Sequence, residues 1–302
     1  MLPERGYRIR AAVRQVVTSI NCNIRDMVAV GDINQCTNWK KALQDVDCIV
    51  HLAARVHVMR ESTIDPLAEY RKINVDATLN LARQAALADV HRFIFLSTIK
   101  VNGEQTSPGK PFTEEDIPAP SDPYGISKYE AEKKLRELAD DTGMEVVIIR
   151  PVLVYGPGVK GNVVSMMEYL CKGIPLPFGA IHNQRSLVAL DNLIDLIVTC
   201  INHPAAVNQT FFVSDGEDMS TTDLVKRMAK ALNVSLKLVS VPERLLMFGA
   251  IILGRRALAL RLLGSLQVDI TKARVLLGWN PPIKVEAALR ATAHFYLDSI
   301  RS

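Results

Sequence analysis

The stretch DPYGISKYEAEKK places Tyr124 and Lys128 four residues apart at the start of a predicted helix. At this spacing both side chains project from one face of the helix. A phenol with a pKa of about 10 transfers protons poorly at neutral pH, and an ammonium group beside it lowers that pKa by favouring the phenolate. The pair therefore suits proton transfer, although chance alone produces such a spacing about once in a chain with seven tyrosines.

Two adjacent hydroxyl residues, Ser97 and Thr98, end the predicted strand in FIFLSTIKVNG. The carboxyl ends of strands border the ligand cleft of an open α/β sheet, so a hydroxyl at this point can hold the oxygen of a substrate carbonyl. Taken singly, these residues are equally suited to capping a helix or a loop. The choice between the two roles depends on the surrounding elements.

Apolar segments rich in Val and Ile alternate with helical patterns along the first half of the chain. The predicted strands are RIRAAV, MVAV, CIVHLA, RFIFLS and EVVIIRP, and the predicted helices lie near TNWKKALQ, over about 66–88 and over about 124–142. Continuous apolar strands separated by helices are typical of a parallel sheet that is covered on both faces. The sequence therefore predicts an α/β fold with a doubly wound parallel sheet.

The length and composition of the chain are sufficient for two domains. The chain has 302 residues and 48% hydrophobic content, enough to bury a full core. After Pro157 the pattern loosens into loops that contain Gly and Pro, followed by further predicted helices. We predict a first domain over residues 1–160 and a smaller domain over 161–302, some segments of which return to the first.

Charge and cysteine usage exclude several classes of protein. The net charge is only +4 and no run of Lys or Arg is long enough to follow a nucleic-acid backbone, so we expect no nucleic-acid partner. The five cysteines show no CxxC spacing and the six histidines no HExxH pair, which indicates a reducing compartment and no metal site. No signal peptide is recognised after Met1, so we expect a cytoplasmic protein.

The segment LLMFGAIILG, residues 245–254, is continuously uncharged. Ten residues are too few to span a bilayer, so no transmembrane segment is predicted. The preferred interpretation is a helix packed over the core or over a substrate cleft. Because arginines flank the segment, weak contact of residues 245–266 with a membrane surface is the alternative.

Several motifs in fixed order carry a resemblance to a known family. The motifs are GDI at 31–33, HLAA at 51–54, the Ser97-Thr98 loop, YGISK at 124–128 and RPVLVYGP at 150–157. Together they resemble the extended short-chain dehydrogenase/reductase family, namely its nucleotide-sugar epimerases, dehydratases and reductases, over nearly the whole chain. The sequence looks most like reductases that act at C4 of UDP-4-keto-6-deoxy-N-acetylhexosamines in bacterial surface-polysaccharide (lipopolysaccharide) synthesis. The resemblance implies an NAD(P)-dependent enzyme with a Rossmann-like dinucleotide domain, a second domain for a UDP-sugar, and a homodimer as one arrangement.

The resemblance also implies roles for particular residues. Tyr124 would be the general acid/base, Lys128 would lower its pKa and bind the nicotinamide ribose, and Thr98 would hydrogen-bond the reacting oxygen. Asn102 stands where the family pattern has a tyrosine. The other implied cofactor-binding residues are Asp32, Ile33, Leu52, Ala53, Ala54, Pro151 and Val154, and the other implied substrate-binding residues are Asn162 and Arg185. A guanidinium group suits a diphosphate, whereas a surface ion pair is the plainer role for Arg185.

Cofactor choice is argued from the end of the strand RIRAAV. NAD enzymes of this fold place an acid here to bind the ribose 2′-hydroxyl, but this sequence has Arg14 and no carboxylate. We therefore expect NADP(H) to be favoured, with NAD(H) as the alternative and a solvated loop residue as the plainer role for Arg14. The glycine-rich GxxGxxG turn expected about 20 residues earlier does not occur. We interpret MLPERGY as the end of the first helix and expect the first strand and this turn to be missing.

Two other functions remain open on the sequence. A UDP-sugar 4-epimerase or dehydratase with tightly held NAD would use the same Tyr124, Lys128 and Thr98. An inactive fragment or a non-catalytic dinucleotide-binding protein is the alternative of another class. The intact YGISK motif argues against a non-catalytic protein, and the missing glycine-rich turn argues for a fragment.

Overall fold

The computed structural model describes residues 6–16, 26–56, 65–107, 109–159 and 161–301. These residues fall into two compact units. The first unit contains Met1–Asn102, Ile117–Arg150 and Ile197–Phe211, and the second contains Gly103–Asp116, Pro151–Leu196 and Phe212–Ser302. The prediction of a dinucleotide domain before residue 160 and a nucleotide-sugar domain after it stays a prediction.

The strands and helices follow one another in alternation through most of the chain. The strands are β1 (Arg10–Val13), β2 (Asp26–Ala29), β3 (Cys48–His51), β4 (Arg92–Leu96), β5 (Glu145–Pro151), β6 (Leu153–Tyr155), β7 (Arg185–Ala189), β8 (Thr210–Val213) and β9 (Asp218–Met219). The α-helices are α1 (Pro66–Arg71), α2 (Thr78–Leu87), α3 (Pro123–Thr142), α4 (Asn162–Cys171), α5 (Leu190–Asn202), α6 (Thr221–Leu232), α7 (Glu243–Ile252), α8 (Arg256–Leu263), α9 (Thr271–Leu277) and α10 (Val285–Ser299). A π-helical segment, Lys72–Ala77, joins α1 to α2, and short 3₁₀ helices cover Ile99–Val101 and Pro204–Ala206.

Parallel strands form the centre of the first unit. β1 pairs with β2, and a second sheet has the order β3-β4-β5-β8. The register places His51 opposite Phe95, and Phe95 opposite Ile148. Fully buried side chains on this sheet, such as those of Phe93 and Phe95, pack with Leu135 of α3 in one apolar cluster. The predicted α/β fold with parallel strands is confirmed.

The segment TNWKKALQ departs from its prediction, because it forms turns where a helix was expected. Two asparagine side chains compete with helix formation here. Asn34 Oδ1 accepts the N–H of Cys36 at 2.7 Å, and Asn38 Oδ1 accepts the N–H of Lys40 at 3.0 Å. The Trp39 N–H goes to the side chain of Gln84 at 2.8 Å instead of to a helical carbonyl.

The second unit has its own sheet and apolar cluster. The strand order is β6-β7-β9, with β6 and β7 parallel and β7 and β9 antiparallel. Helices α4, α6 and α10 pack together beside it, and Met167, Val225 and Leu289 are buried among them. This unit therefore contains a core of its own.

Helix α7 corrects the preferred interpretation of residues 245–254. The helix exists, but none of its residues is buried, and Leu245 and Phe248 are 61% and 63% exposed. The segment is therefore not buried against a core, while its position over a substrate cleft stays a prediction. Among the described residues, no helix is both long and apolar enough to cross a membrane.

Candidate active site

Local signals place Tyr124 in the first turn of α3. Asp122 caps the helix by accepting the N–H of Gly125 at 2.6 Å, and Pro123 occupies the first helical position. Gly143, with φ of 76°, ends the helix in the left-handed conformation. Because both ends are determined by adjacent residues, the predicted helix agrees with the observed one to within a residue.

Thr98 meets Tyr124 from the loop that follows β4. Its backbone is extended and its hydroxyl accepts the N–H of Lys100 at 3.3 Å, so it also caps the 3₁₀ helix. The Thr98 hydroxyl lies close enough to the Tyr124 phenol to lower its pKa. The structure therefore brings together the two groups that were predicted to hold one reacting oxygen.

Burial dominates the ionisation of the Tyr124 phenol. It raises the pKa of Tyr124 to about 12, with smaller increases from Asp122 and Tyr70, while the hydrogen bond from Thr98 lowers it. The Tyr70 ring lies 6.1 Å from the Tyr124 ring between centroids. The phenol is therefore protonated at neutral pH. Lys128 is not among the groups that shift this pKa, so the predicted lowering by its ammonium is not seen in the chain by itself.

Lys128 is a buried residue whose ammonium group lies against an aromatic ring. The residue is 1% exposed, and its Nζ atom lies 4.1 Å from the centre of the Phe95 ring. Burial lowers the pKa of Lys128 to about 7, and the Glu132 carboxylate raises it. Within the described ranges Lys128 donates no hydrogen bond. Buried polar groups are nearly always paired, so this ammonium fits a ribose with hydroxyl acceptors.

A buried network behind these residues was not part of the predicted site. Glu132 is completely buried and accepts hydrogen bonds from Ser97 Oγ at 2.5 Å, Arg150 Nε at 2.9 Å and Arg150 Nη2 at 2.5 Å. Arg150 Nη1 donates to Asn102 Oδ1 at 2.9 Å. The network ties α3 to the ends of β4 and β5 and to the loop after Thr98. The available signal was the spacing, because Glu132 follows Lys128 by one more helical step of four.

The network also assigns contacts to residues that the sequence left undecided. Ser97 donates to Glu132, so its hydroxyl supports helix α3, while Thr98 contacts Tyr124. Asn102, which replaces the family tyrosine, is buried and satisfies a donor of Arg150. Ser97 and Asn102 therefore act as structural partners.

The predicted adenine-side residues lie just after the ends of β2 and β3. Asp32 is exposed, while Ile33 is half-buried and packs against the apolar cluster. Of the HLAA residues, Leu52 and Ala53 are exposed and Ala54 is half-buried. Exposed apolar side chains at strand carboxyl ends fit the flat apolar surface of a dinucleotide.

His51 begins the HLAA motif but is not exposed. Its Nε2 atom lies 3.0 Å from Thr78 Oγ1, and its ring stacks on Phe95 at 6.1 Å between centroids. Burial, and then the charge of Lys128, lowers the pKa of His51 to about 3. The imidazole is therefore neutral and structural.

Arg14 forms an ion pair that the sequence did not indicate. Its Nε atom lies 2.5 Å from Asp32 Oδ1, and both side chains are about three-quarters exposed. A 2′-phosphate would have to compete with this carboxylate for the guanidinium. The favoured use of NADP(H) through Arg14 stays a prediction.

The other predicted residues all belong to the second unit, and Pro151, the last residue of β5, begins that unit's segment Pro151–Leu196. Val154 lies in β6 opposite Val188. Arg185 begins β7, and its Nη1 atom donates to the carbonyl oxygen of Gly264 at 2.9 Å. Burial, and then the charge of Arg261, lowers the pKa of Arg185. Asn162 begins α4, and its side chain lies outside the part of the chain that the structure describes.

The comparisons with known proteins show the family of this chain. Residues 1–213 match the NAD dependent epimerase/dehydratase family. The chain belongs to this family. It is therefore an enzyme of the epimerase/dehydratase type, and its α/β fold is that of a family member.

Three proteins similar to this chain are named as sugar-nucleotide epimerases or as a reductase. A UDP-glucose 4-epimerase of Vibrio cholerae is 48% identical over 97% of this chain and 89% of its own length. A GDP-6-deoxy-D-mannose reductase of Pseudomonas aeruginosa is 28% identical over 81% of this chain and 78% of its own length. The crystal structure of a UDP-glucuronic acid 4-epimerase of Bacillus cereus in complex with NAD matches with a TM-score of 0.72, at 22% identity, over 90% of this chain and 81% of that one.

Proposed function

We propose that this family member is an NAD(P)-dependent UDP-sugar 4-epimerase. The observation that carries the proposal is the contact between Thr98 and Tyr124, together with the buried Lys128, whose ammonium group donates no hydrogen bond to any described residue. The 48% identity to the Vibrio cholerae UDP-glucose 4-epimerase, over almost the whole chain, supports C4 of a UDP-sugar as the reacting position. It favours epimerisation over the reduction that the sequence pattern led us to expect.

In this mechanism Tyr124 and Thr98 hold the C4 oxygen of the sugar between their hydroxyls. Tyr124 takes the proton of the C4 hydroxyl as its phenolate when the sugar is oxidised, and returns that proton as the phenol when the 4-keto sugar is reduced. Lys128 donates hydrogen bonds to the ribose of the dinucleotide. When bound, the nicotinamide supplies hydride transfer and, in its oxidised state, a positive charge.

The buried network holds these groups in place during both half-reactions. Glu132 accepts from Ser97 and Arg150, so α3 cannot rotate without breaking a buried ion pair. Proton transfer depends on donor–acceptor distances of about 3 Å, so a rigid helix preserves the rate. The Glu132 carboxylate also keeps more of Lys128 in its charged form.

For the sugar nucleotide, we infer that Arg185 and Asn162 bind the diphosphate, as the family pattern implies. Arg185 is half-buried at the start of β7. Among the described residues, its guanidinium donates one hydrogen bond, from Nη1 to the carbonyl oxygen of Gly264. The remaining donors suit phosphate oxygens, for which guanidinium geometry is well matched.

A C4 reductase is the second candidate. The protonated phenol favours it, because the pKa of Tyr124 near 12 suits donation of a proton to a reduced carbonyl. The 28% identity to a sugar-nucleotide reductase supports the same reaction type. The two candidates differ in cofactor balance, because a reductase consumes one reduced nicotinamide for each product and an epimerase consumes none.

The test compares Tyr124→Phe with Tyr129→Phe. Each substitution removes one phenolic hydroxyl from helix α3, so the second is a matched control for the first. Conversion of UDP-glucose to UDP-galactose is followed by chromatography, and nicotinamide absorbance is recorded in parallel. Tyr124→Phe is expected to lower turnover at least about 10²-fold with nearly unchanged dinucleotide binding, since only the proton-transferring hydroxyl is lost. Tyr129→Phe should stay within about two-fold of the unsubstituted protein.

Each outcome separates the candidates. Net oxidation of the reduced cofactor with a UDP-4-keto-6-deoxy sugar, and no interconversion of UDP-glucose, would assign the reductase. Equal activity of the two phenylalanine variants would remove Tyr124 from the mechanism.

A further inference from the structure

Helix α7 exposes an unusual set of side chains. Leu245, Phe248, Ile251, Ile252 and Leu253 are 52–73% exposed. Leu245, Phe248 and Ile251 follow one another at intervals of three residues, and Ile252 and Leu253 come directly after Ile251. They therefore form one continuous stripe, here called the α7 apolar face. A surface helix normally turns such a stripe toward the core. Contiguous exposed apolar surface marks a site of interaction.

The fold holds this face outward. On the entry side, Val239 N–H donates to the Leu176 carbonyl at 2.9 Å, and Glu243 accepts the N–H of His182 at 3.1 Å. On the exit side, the carbonyl of Leu262 accepts from Thr221 Oγ1 at 2.6 Å. The α7–α8 segment is thus tied to the second unit at both ends, and the apolar face is a regular feature of the fold.

Positive charge borders the face at both ends of the helix. Arg244 lies at its start, and Arg255 and Arg256 follow its end, all three exposed. None of the three forms an ion pair with any other described residue. Residues 243–263 include four arginines and a single acidic residue, Glu243, whose side chain already accepts from His182. The face is therefore apolar along its middle and cationic at its ends.

We propose that the α7 apolar face docks on the surface of an anionic lipid bilayer. The apolar stripe would lie at the boundary of headgroups and acyl chains, and the guanidinium groups would reach the lipid phosphates. Each arginine near an anionic bilayer adds to the binding energy. This inference does not depend on the proposed reaction.

The charges argue against a second copy of the chain as the occupant. In a two-fold interface the same surface meets itself, so Arg244 of each copy would face arginines of the other across the apolar stripe. With one acidic residue in the segment, this juxtaposition of like charges would be unfavourable. A bilayer of anionic lipid supplies the complementary charge along the whole face.

The test is co-sedimentation of the whole protein with vesicles of phosphatidylglycerol and phosphatidylcholine, compared with vesicles of phosphatidylcholine alone. We expect binding to the mixed vesicles that weakens as salt rises, and little binding to the neutral ones. The double variant Arg255→Gln/Arg256→Gln should lower the partition coefficient about 25-fold, at about five-fold for each charge. Phe248→Ser/Ile252→Ser should lower it at least as much.

Matched controls use other exposed residues of the same types. Leu87→Ser/Val275→Ser removes two exposed apolar side chains elsewhere, and Arg83→Gln/Arg290→Gln removes two exposed charges. Both should bind mixed vesicles like the unsubstituted protein, and circular dichroism checks that every variant is folded.

Three results would overturn the proposal. The first is absence of binding to mixed vesicles at low salt, and the second is equal loss in the control and α7 variants. The third is a concentration-dependent dimer in sedimentation velocity that Phe248→Ser/Ile252→Ser abolishes, which would assign the face to a second copy. If the serine variants misfold, the proposal is still tested by the salt dependence of vesicle binding by the unsubstituted protein and by the binding of the glutamine variants.

Discussion

Replacing Glu132 with glutamine removes one negative charge from the buried face of α3 and keeps the shape of the side chain. In the structure this carboxylate accepts from Ser97 and twice from Arg150. The side chains of Glu132 and Arg150 are 0% and 3% exposed, so water cannot take over the solvation of the guanidinium. The substitution therefore leaves a buried positive charge without its counter-charge.

The expected cost follows from that burial. Breaking a buried ion pair from one side lowers the free energy of unfolding by about 3–5 kcal/mol. The same helix provides a matched exposed pair, Glu130 with Arg71 at 2.5 Å, whose side chains are 29% and 46% exposed. Solvent-exposed pairs contribute about 0–1 kcal/mol, so Glu130→Gln should have little effect. The two variants remove the same charge and differ in burial.

The assay is urea unfolding, followed by circular dichroism and by tryptophan fluorescence, with coincident transitions as the condition for a two-state analysis. A second readout is dinucleotide affinity against pH. The Glu132 carboxylate raises the pKa of Lys128, so its loss lowers that pKa further. Since the ammonium form is lost as pH rises through its pKa, the affinity of Glu132→Gln should fall at a lower pH than that of the unsubstituted protein.

Equal destabilisation by Glu132→Gln and Glu130→Gln would refute the reasoning that burial makes this pair costly to break. An unchanged pH dependence of affinity, together with a large loss of stability, would limit Glu132 to a structural role. The double variant Glu132→Gln/Arg150→Met removes both charges, and it should recover part of the lost stability.

Three other predictions concern single side chains. Arg14→Ala should narrow a preference for NADP(H) over NAD(H) by about 1–3 kcal/mol, as measured by calorimetric titration of both cofactors; a preference for NAD(H) that the substitution leaves unchanged would limit Arg14 to its ion pair with Asp32. Arg185→Ala should raise the KM for the UDP-sugar with little change in kcat, because a diphosphate contact persists from ground state to transition state; an unchanged KM would leave it only its contact with Gly264. The pKa of His51 falls from 6.5 when unfolded to about 3 when folded, so between these values only the unfolded chain binds the proton and acid lowers stability. From pH 7 to pH 5 the unsubstituted protein should therefore lose about 2 kcal/mol more than His51→Gln in urea titrations, and equal losses would contradict the burial argument.

The sequence by itself determined the elements whose signals are local. Helix α3 was predicted with its ends because Asp122, Pro123 and Gly143 act on the backbone next to them. The strands around Phe95 and Ile148 were predicted because a strand buried on both faces is a continuous apolar run. Tyr124 and Lys128 were found from their spacing, which the helical repeat places on one face, together with the motifs around them.

Tertiary structure decided what depends on distant partners. The sequence separates Glu132 from Arg150 by 18 residues and two elements, and no periodicity links them. TNWKKALQ has a helical pattern, but Asn38 and Gln84 capture its N–H groups. For the same reason the pKa of Tyr124 could not be predicted from the sequence, because burial by the surrounding fold raises it and Lys128 is not among the groups that shift it.

The α7 segment shows the same limit at the surface. A run such as LLMFGAIILG is apolar on every side, so its hydrophobic pattern does not tell which side the fold covers. That choice is made by hydrogen bonds at Glu243 and Leu262, far apart in sequence from His182 and Thr221, their partners. Local residue order determined that a helix forms here, and only the packing of the whole unit left its apolar face exposed.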